Sequence, residues 1–531
     1  MSLLPNGGQC YALDMSVATP PTVTDRLPSR GETSLSEVFS RAYGAQLTWS
    51  QLPIKERISK IRSVRNLLVE YRRDLAKSIN LPCREGYRET LTSEILPLAD
   101  AVQWVTRHAR RVLEPRYCRK RHTPFWLGIL QSTVYRVPHG LVLIIGAGNY
   151  PLFLTGVQLL QAIVAGNAVA IKPAPGAEQV TEQLVDLFVK SGVPEELIVL
   201  LDSSVESAQK AMETGVDKVI LTGSSRSGRA ILKQLADTLT PATLELSGCD
   251  AVYVLPGADL HRVCDVLMFG MRLNGGATCM APRRVFIPKK YSEVFHRLLS
   301  QRLTSEFQRA WRTKVPRATH QRLWDGIESA IRSGARIFES ETKATYPDLR
   351  QIANNDAHEH AWVSMGHMVL TDVKTDMSLC SADIFAPLIM VIPVEDWADI
   401  LHSDSKCPYA LTVSIFGPVE DALRMTAYVS AGTITINDSI VPTADPQLPF
   451  GGRGESGFGV TRGDEGLLEM TVPRVVSIRK GSWLPHATPP TATDESLLDG
   501  LLQWKHSETW MERWRGIRQT ILAAISSRKS N

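Results

Sequence analysis

The stretch Gly140–Ile171, GLVLIIGAGNYPLFLTGVQLLQAIVAGNAVAI, contains no charged residue. It is long enough to cross a bilayer, which takes about 20 apolar residues. Its grammar excludes that reading. A β-branched run, Leu141 to Ile145, ends in the turn Gly146-Ala147-Gly148-Asn149, and Pro151 and a helical stretch follow. Gly166-Asn167 then stops the helix before a second short run, AVAI. A strand, a crossover helix and a strand buried on both faces read this way. The stretch predicts a βαβ unit in a parallel sheet, not a membrane span.

The same grammar continues on the C-terminal side. LIVLLD (Leu197–Asp202) reads as a strand, Val205–Glu213 as a helix, and DKVILTG (Asp217–Gly223) as a strand closing on a glycine turn. Ser225–Leu239 reads as a helix and ATLEL (Ala242–Leu246) as another strand. Alternation of this kind predicts an α/β fold with a mostly parallel sheet covered on both faces. Beyond Cys279 the runs RRVFIP, LIMVIPV, LTVSIF and GTITIN predict a second α/β region, with charged surface insertions between Ser300 and His367.

Towards the N-terminus, Ile58, Ile61, Val64 or Leu68, Tyr71 and Leu75 recur at helical spacing after Pro53. Residues 1 to about 33 lack periodicity and read as a loose arm. PTATDE, from Pro490, reads as a linker. A last helix from about Ser507 places Trp510, Trp514, Ile517, Ile521 and Ile525 on one stripe, with Arg513, Arg515 and Arg518 around it. Docking of that stripe on its own or a partner subunit is expected ahead of a membrane surface.

A chain of 531 residues calls for two or three domains. Its net charge of +4, from 59 basic and 55 acidic residues, makes no case for nucleic acid as a partner. Eight cysteines without a CxxC pair suit neither a zinc site nor a disulfide framework, so no metal is expected. Reduced thiols in a cytoplasm are the simplest reading. The opening MSLLPNGGQCYALDMS lacks the basic and apolar regions of a secretory signal.

For chemistry, the stretch NGGATCMAPRR (Asn274–Arg284) sets Cys279 behind two glycines, an alanine and a threonine. Two readings stand: a buried inert thiol, or a nucleophile that substrate and cofactor approach closely. Neither standard phosphate motif is complete. GAGNYP has Pro151 where the last glycine of G-x-G-x-x-G belongs, and after GSSRSG come Arg229 and Ala230 in place of Lys and Ser or Thr. What remains is a glycine turn, Gly223-Ser224, at a helix start able to meet a phosphate.

GNYP, IKP, LTGS, LELSG, the turn before Cys279, IFAP and LPFGGRGESGFG occur in this order. Together they resemble the aldehyde dehydrogenase superfamily, over roughly Ala45 to Lys480. The ending LPFGG…SGFG, preceded by TINDS, is most similar to the class with fatty and aromatic aldehyde dehydrogenases. That superfamily keeps thirty-four positions between general base and nucleophile, the separation of Glu245 from Cys279 here.

The resemblance implies NAD(P)-dependent oxidation of a small-molecule aldehyde to the acid. Hydride leaves readily only from a tetrahedral adduct, and thiolate addition supplies one. An ordinary thiol is only about 3% ionised at pH 7, so its surroundings matter. By resemblance, Asn149 and the Cys279 N–H hold the oxyanion, and Glu245 activates the water that releases the acid. Lys172 matches an adenosine-ribose contact, Gly223 and Ser224 the pyrophosphate turn, and Phe385 the nicotinamide side.

Four positions depart from the family pattern. Pro175 replaces a glutamate that grips the ribose hydroxyls. Asp383 stands for the glutamate on the nicotinamide ribose, with Ala386 after Phe385, and Cys249 replaces a lysine. NAD is expected, with NADP tolerated. The resemblance also implies a Rossmann-like cofactor domain (34–130 and 138–247), a catalytic α/β domain (248–471) and a bridging element (131–137 with 472–480). The last joins subunits, so a homodimer is expected first and a tetramer second. Residues 481–531 add a linker and amphipathic helix. Two alternatives stay open: transfer of the acyl group to coenzyme A, which Glu245 opposes, and a non-catalytic binding protein on the same scaffold.

Overall fold

A computed structural model describes residues 34–119, 123, 124, 127, 129–305, 311–338, 362–480, 484–487, 489 and 491–529. The arm expected over 1–33, and part of the insertions expected between Ser300 and His367, lie outside the described residues. The chain divides into two units: 1–114 with 136–472, and 115–135 with 473–531.

The first unit holds two sheets. Strands β1 (Leu141–Ile145), β2 (Ala168–Lys172), β3 (Ile198–Leu200), β4 (Lys218–Gly223) and β5 (Ala242–Leu246) are parallel, in the order β5-β4-β1-β2-β3. The two-residue strand Gly457–Phe458 adds antiparallel to β5. Every residue of β1 and β2 is buried, as is every residue of the crossover helix α1 (Phe153–Ala165). That burial explains the missing charge in Gly140–Ile171. Among the described residues no helix is long and apolar enough to cross a membrane.

Helix α1 has no cap of its own. The buried Glu94 carboxylate reaches across from another helix and accepts from the Leu152 and Phe153 N–H groups at 2.8 and 3.1 Å. A carboxylate there satisfies two open donors and the positive helix end. Helices α2 (Glu178–Lys190) and α3 (Ser225–Leu235) follow β2 and β4. The sheet steps one way from β1 to β3 and the other way from β4 to β5. At such a reversal the carboxyl ends of the strands open a crevice. Gly146–Asn149 and Gly223-Ser224 lie at that place.

The second sheet contains β6 (Asp250–Val254), β7 (Pro282–Pro288), β8 (Arg336–Ile337), β9 (Met368–Thr371), β10 (Leu388–Val394), β11 (Thr412–Phe416) and β12 (Thr433–Ile436). Its order is β8-β9-β10-β7-β6-β11-β12, and only β8 runs antiparallel. Ala251 and Tyr253 pack in one apolar layer, Val252 and Val254 in another, so both faces are covered. Helix α4 (Leu260–Arg272), capped by Asp259, sends Val263, Cys264 and Leu267 into the second layer. A fully buried side chain of this size contributes about 1.5–3 kcal/mol relative to exposure. The change of sheet falls between Leu246 and Asp250.

One local expectation is sharpened and one is corrected. The periodic segment after Pro53 is three short helices, Ile54–Ile61, Val64–Glu70 and Arg72–Ser78. Ile58, Ile61, Val64, Leu68 and Leu75 are all buried, while Tyr71 leaves helical geometry at φ −90°, ψ 8°. The pattern survives because each piece presents its apolar face to the same core. Likewise PTATDE is not a linker. Thr491 and Asp494 form a reciprocal capping box that starts a helix, Ala492–His506.

In the second unit Arg116–Tyr117, Leu130–Pro138 and Thr471–Arg479 form a three-stranded sheet. Helices Ala492–His506 and Trp510–Lys529 pack tightly enough that a Cβ on Gly516 would stand 2.6 Å from the Gly500 carbonyl oxygen. The small residues therefore face inward. Trp510, Trp514, Ile521 and Ile525 are exposed and Ile517 is half-buried.

Candidate active site

After α4 the chain turns sharply through Asn274, Gly275 and Gly276, at φ 52°, 60° and 75°. A Cβ on Gly275 would stand 2.2 Å from Thr313 Oγ1 and 2.9 Å from Cys83 Cβ. One on Gly276 would stand 2.6 Å from the Ala386 carbonyl. The glycines before Cys279 are thus required by left-handed backbone and by wedging against the IFAP segment. They do not serve mainly to admit substrate.

Asn274 bolts this loop in place. Its N–H donates to the Glu89 carboxylate, and its amide donates to the Asn149 and Ala277 carbonyls at 3.0 and 3.1 Å. Arg84 donates to Asn274 Oδ1 at 3.0 Å and to the Asn149 carbonyl at 2.8 Å. It also pairs with the buried Glu94 at 3.0 Å, the carboxylate that caps α1. The Tyr150 hydroxyl meets Thr278 Oγ1 at 2.6 Å. One network therefore ties the GNYP turn to the Cys279 loop.

Within it, the Asn149 side-chain amide donates to the Ala277 carbonyl at 3.1 Å. That engages one of its two amide hydrogens. Glu245 is the last residue but one of β5, is buried, and accepts from the Thr461 hydroxyl at 3.0 Å. Its other oxygen, Oε1, is buried without a hydrogen-bond partner. Burial pushes this carboxyl up, while Arg462 and Thr461 hold it down. Burial also pushes the Cys279 thiol well above the ordinary range, as do Glu245 and Asp250, whereas Arg462 and the Met280 N–H pull it down.

Two cavities meet at this pair. One, of about 540 Å³, is lined by Phe153, Leu154, Phe269, Ile440 and Phe450 together with Cys279, Glu245 and Arg462. The other, of about 930 Å³, is lined by Asn149, Gly223, Ser224, Asp383 and Phe385, and again by Cys279 and Glu245. A thiol and a carboxylate at the junction of an apolar chamber and a glycine-turn cleft can perform covalent chemistry on a carbonyl.

Most of the expected cofactor residues gather in the larger cavity. Ser224 caps α3, accepting from the Ser227 N–H at 3.2 Å, so its hydroxyl already has a partner. Asp383 Oδ2 accepts from the Ser247 hydroxyl, and Oδ1 is buried without a partner. Lys172 ends β2 in a buried position but is not among the residues lining the cleft. Pro175 is exposed in the turn that precedes α2. Cys249 donates to the Cys380 carbonyl at 3.4 Å, away from both cavities.

This geometry has a counterpart in known proteins. The model of the aldehyde dehydrogenase family matches residues 15–476. The chain belongs to that family. As an aldehyde dehydrogenase it is an oxidoreductase acting on aldehydes. It is similar to 4,4'-diapolycopene aldehyde oxidase of Methylomonas sp, with 28% identity over 92% of this chain and 90% of that protein. A putative NADP(+) succinate-semialdehyde dehydrogenase 2 of Mycobacterium ulcerans is 26% identical over 87% of this chain and 88% of its own length. The fold matches a crystal structure of Mycobacterium tuberculosis aldehyde dehydrogenase complexed with NAD+, at TM-score 0.73 and 24% identity, covering 85% and 91% of the two chains.

For an aldehyde dehydrogenase site, the sequence reading missed Arg462, Thr461, Asn274, Arg84 and Glu94. Two signals were in plain view. Asn274 opens the NGG turn itself, and Thr461 and Arg462 follow the SGFG signature after one residue, Val460. The bridge between Phe450 and Thr461 folds that signature back onto Glu245.

Proposed function

We propose that the chain oxidises an apolar aldehyde to its carboxylic acid with NAD or NADP, through a covalent adduct on Cys279. The junction of the two cavities at Cys279 and Glu245 carries this reading. The Cys279 thiolate adds to the carbonyl carbon, and the oxyanion takes the free Asn149 amide hydrogen and the Cys279 N–H. One such donor is worth about 3 kcal/mol in the transition state. A nicotinamide held in the larger cavity by Gly223, Ser224, Asp383 and Phe385 would supply the hydride acceptor. Glu245 then takes a proton from the water that attacks the Cys279 thioester, and the acid leaves as the thiol is restored.

The chemistry of the larger cavity fits such a cofactor. It offers a glycine turn at a helix start for phosphate, an orphaned buried carboxylate oxygen on Asp383 for a ribose hydroxyl, and Phe385 for the nicotinamide side. Lys172 would serve the adenosine ribose. Asp202 and Glu178 act on Lys172 and would oppose a 2′-phosphate, which favours NAD over NADP. The aromatic and aliphatic lining of the smaller cavity favours an aromatic or extended apolar aldehyde.

The cofactor domain is assigned to 34–130 and 138–247, the catalytic domain to 248–471, and the bridging element to 131–137 with 472–480. A homodimer is the assembly expected from that element. The described cysteines are all free thiols, which suits a cytoplasm.

The test is the time course of reduced nicotinamide with an aromatic aldehyde and no coenzyme A. Sustained turnover, lost in Cys279→Ala while cofactor still binds, is expected. A burst of about one equivalent that stops would hand the reading to coenzyme A acylation. Wild-type rates in Cys279→Ala would remove Cys279 as nucleophile.

A further inference from the structure

Arg462 stands in the smaller cavity with Cys279 and Glu245, in a position the reaction scheme above leaves unused. Its backbone is left-handed, at φ 63°, and its N–H donates to Gln161 Oε1 at 3.2 Å. The side chain is 4% exposed. One guanidinium nitrogen donates to the Thr443 carbonyl, and the group lies 4.5 Å from the Phe450 ring centroid and 5.8 Å from that of Phe153. Its Nε is buried without a hydrogen-bond partner. Glu245 Oε1 is buried and partnerless in the same chamber. Several devices thus hold a cation in an apolar pocket, where an unpaired charge is expensive. Something there must repay it.

The geometry points to Arg462 as the fixed counter-ion for a single negative charge shared between Cys279 and Glu245. It is a positioning residue, acting through those two groups. Arginine keeps its proton, so its charge is permanent. One cation compensates one anion, and the charge can sit on either partner: Cys279–SH and Glu245–COO⁻ become Cys279–S⁻ and Glu245–COOH by passing one proton. The net charge beside Arg462 is unchanged by that transfer, so the thiolate forms without a second anion entering the pocket. Arg462 lowers both groups; burial pushes Arg462 itself down, and both partners act against that. Asp250 opposes thiolate formation from β6, and Tyr150 and Cys279 also act on one another. Glu85, Arg88, Glu89 and Arg272 are the other charged groups lining the chamber.

This inference rests on the reading of Cys279 as nucleophile, and the test separates the two. The rate of Cys279 alkylation by iodoacetamide, with the label mapped by mass spectrometry, is followed against pH in the wild type, Arg462→Gln and Arg462→Lys. Circular dichroism and cofactor binding check the fold. In Arg462→Gln the profile is expected to move up by at least one pH unit, a tenfold or greater loss of labelling rate at pH 7.5. Arg462→Lys keeps the charge and is expected to stay within about half a unit of the wild type. If Arg462→Gln does not fold, Arg462→Lys alone decides: a folded lysine variant displaced by a full unit overturns the counter-ion role, and one that keeps the profile supports it. A Cys279 profile indifferent to Arg462→Gln overturns this inference alone. A label found on another cysteine overturns the nucleophile reading as well.

Discussion

At the scale of single residues, the site is built from groups whose burial works against their chemistry. Cys279 is pushed above the ordinary thiol range by burial and by the neighbouring carboxylates. The sign for activity follows. With the thiol raised, the reactive thiolate is a minor species at neutral pH. Where it forms by passing its proton to Glu245, its share is set within the pair, so the logarithm of kcat/KM is expected to rise only until the pair carries its single negative charge and to level off above that point. A slope of one sustained from about pH 7 to 9, measured under saturating cofactor, would mean that the proton is lost to solvent and would contradict the shared charge.

The nearness of Glu245 to Cys279 was legible from spacing. Glu245 and Cys279 sit thirty-four positions apart in the sequence and share two cavities in the fold. Arg462 was not legible, because its approach depends on one left-handed residue and the bridge between Phe450 and Thr461. No periodicity records either. Lys172 shows the converse, since its motif position was clear but its side chain is buried at the end of β2, off the cleft lining.

At the scale of elements, strands were easier to read than helix ends. β1 and β10 are sunk between covering layers and are continuous apolar runs, β2 is one up to Ile171, and β7 is equally buried but carries Arg283 and Arg284. Helix ends after Ile54 left no such mark, for no proline or glycine stands at Ser63 or Tyr71. The turn before Cys279 was read for its small residues, and only the close approach of Ala386 and Pro387 shows what they are for. Gly276→Ala is the corresponding test. Its Cβ would meet backbone atoms at 2.6–2.7 Å from a left-handed position. A loss of at least about 2 kcal/mol in stability, or a turnover loss from a displaced Cys279, is expected. Gly44→Ala is the contrast. It lies exposed inside the helix Leu35–Gln51 with nothing within 4 Å of the added methyl, so a gain of about 0.5–1 kcal/mol is expected. Thermal unfolding of the two variants should move in opposite directions, and equal shifts would remove the packing explanation.

At the scale of the whole molecule, apolar exposure concentrates in the second unit, which no cavity chemistry explains. On the strand Thr471–Arg479, Val475 is 64% and Ile478 52% exposed. The same unit exposes Tyr117, Ile129, Trp510 and Trp514. Exposed apolar residues in such number mark a protein interface more often than a bare surface. Sequence patterning could not reveal it, because alternating valines read alike whether a strand faces a core or another chain. If the strand Thr471–Arg479 is where two copies meet, sedimentation velocity at micromolar concentration should give twice the 58.7 kDa chain mass. Val475→Glu with Ile478→Glu would place like charges on both sides of a symmetric contact and is expected to yield monomers. A double variant that still sediments as a dimer would move the interface elsewhere on the second unit, with the outward stripe of Trp510 and Trp514 the next surface to alter. A wild-type chain that remains monomeric at every concentration would end the dimer proposal.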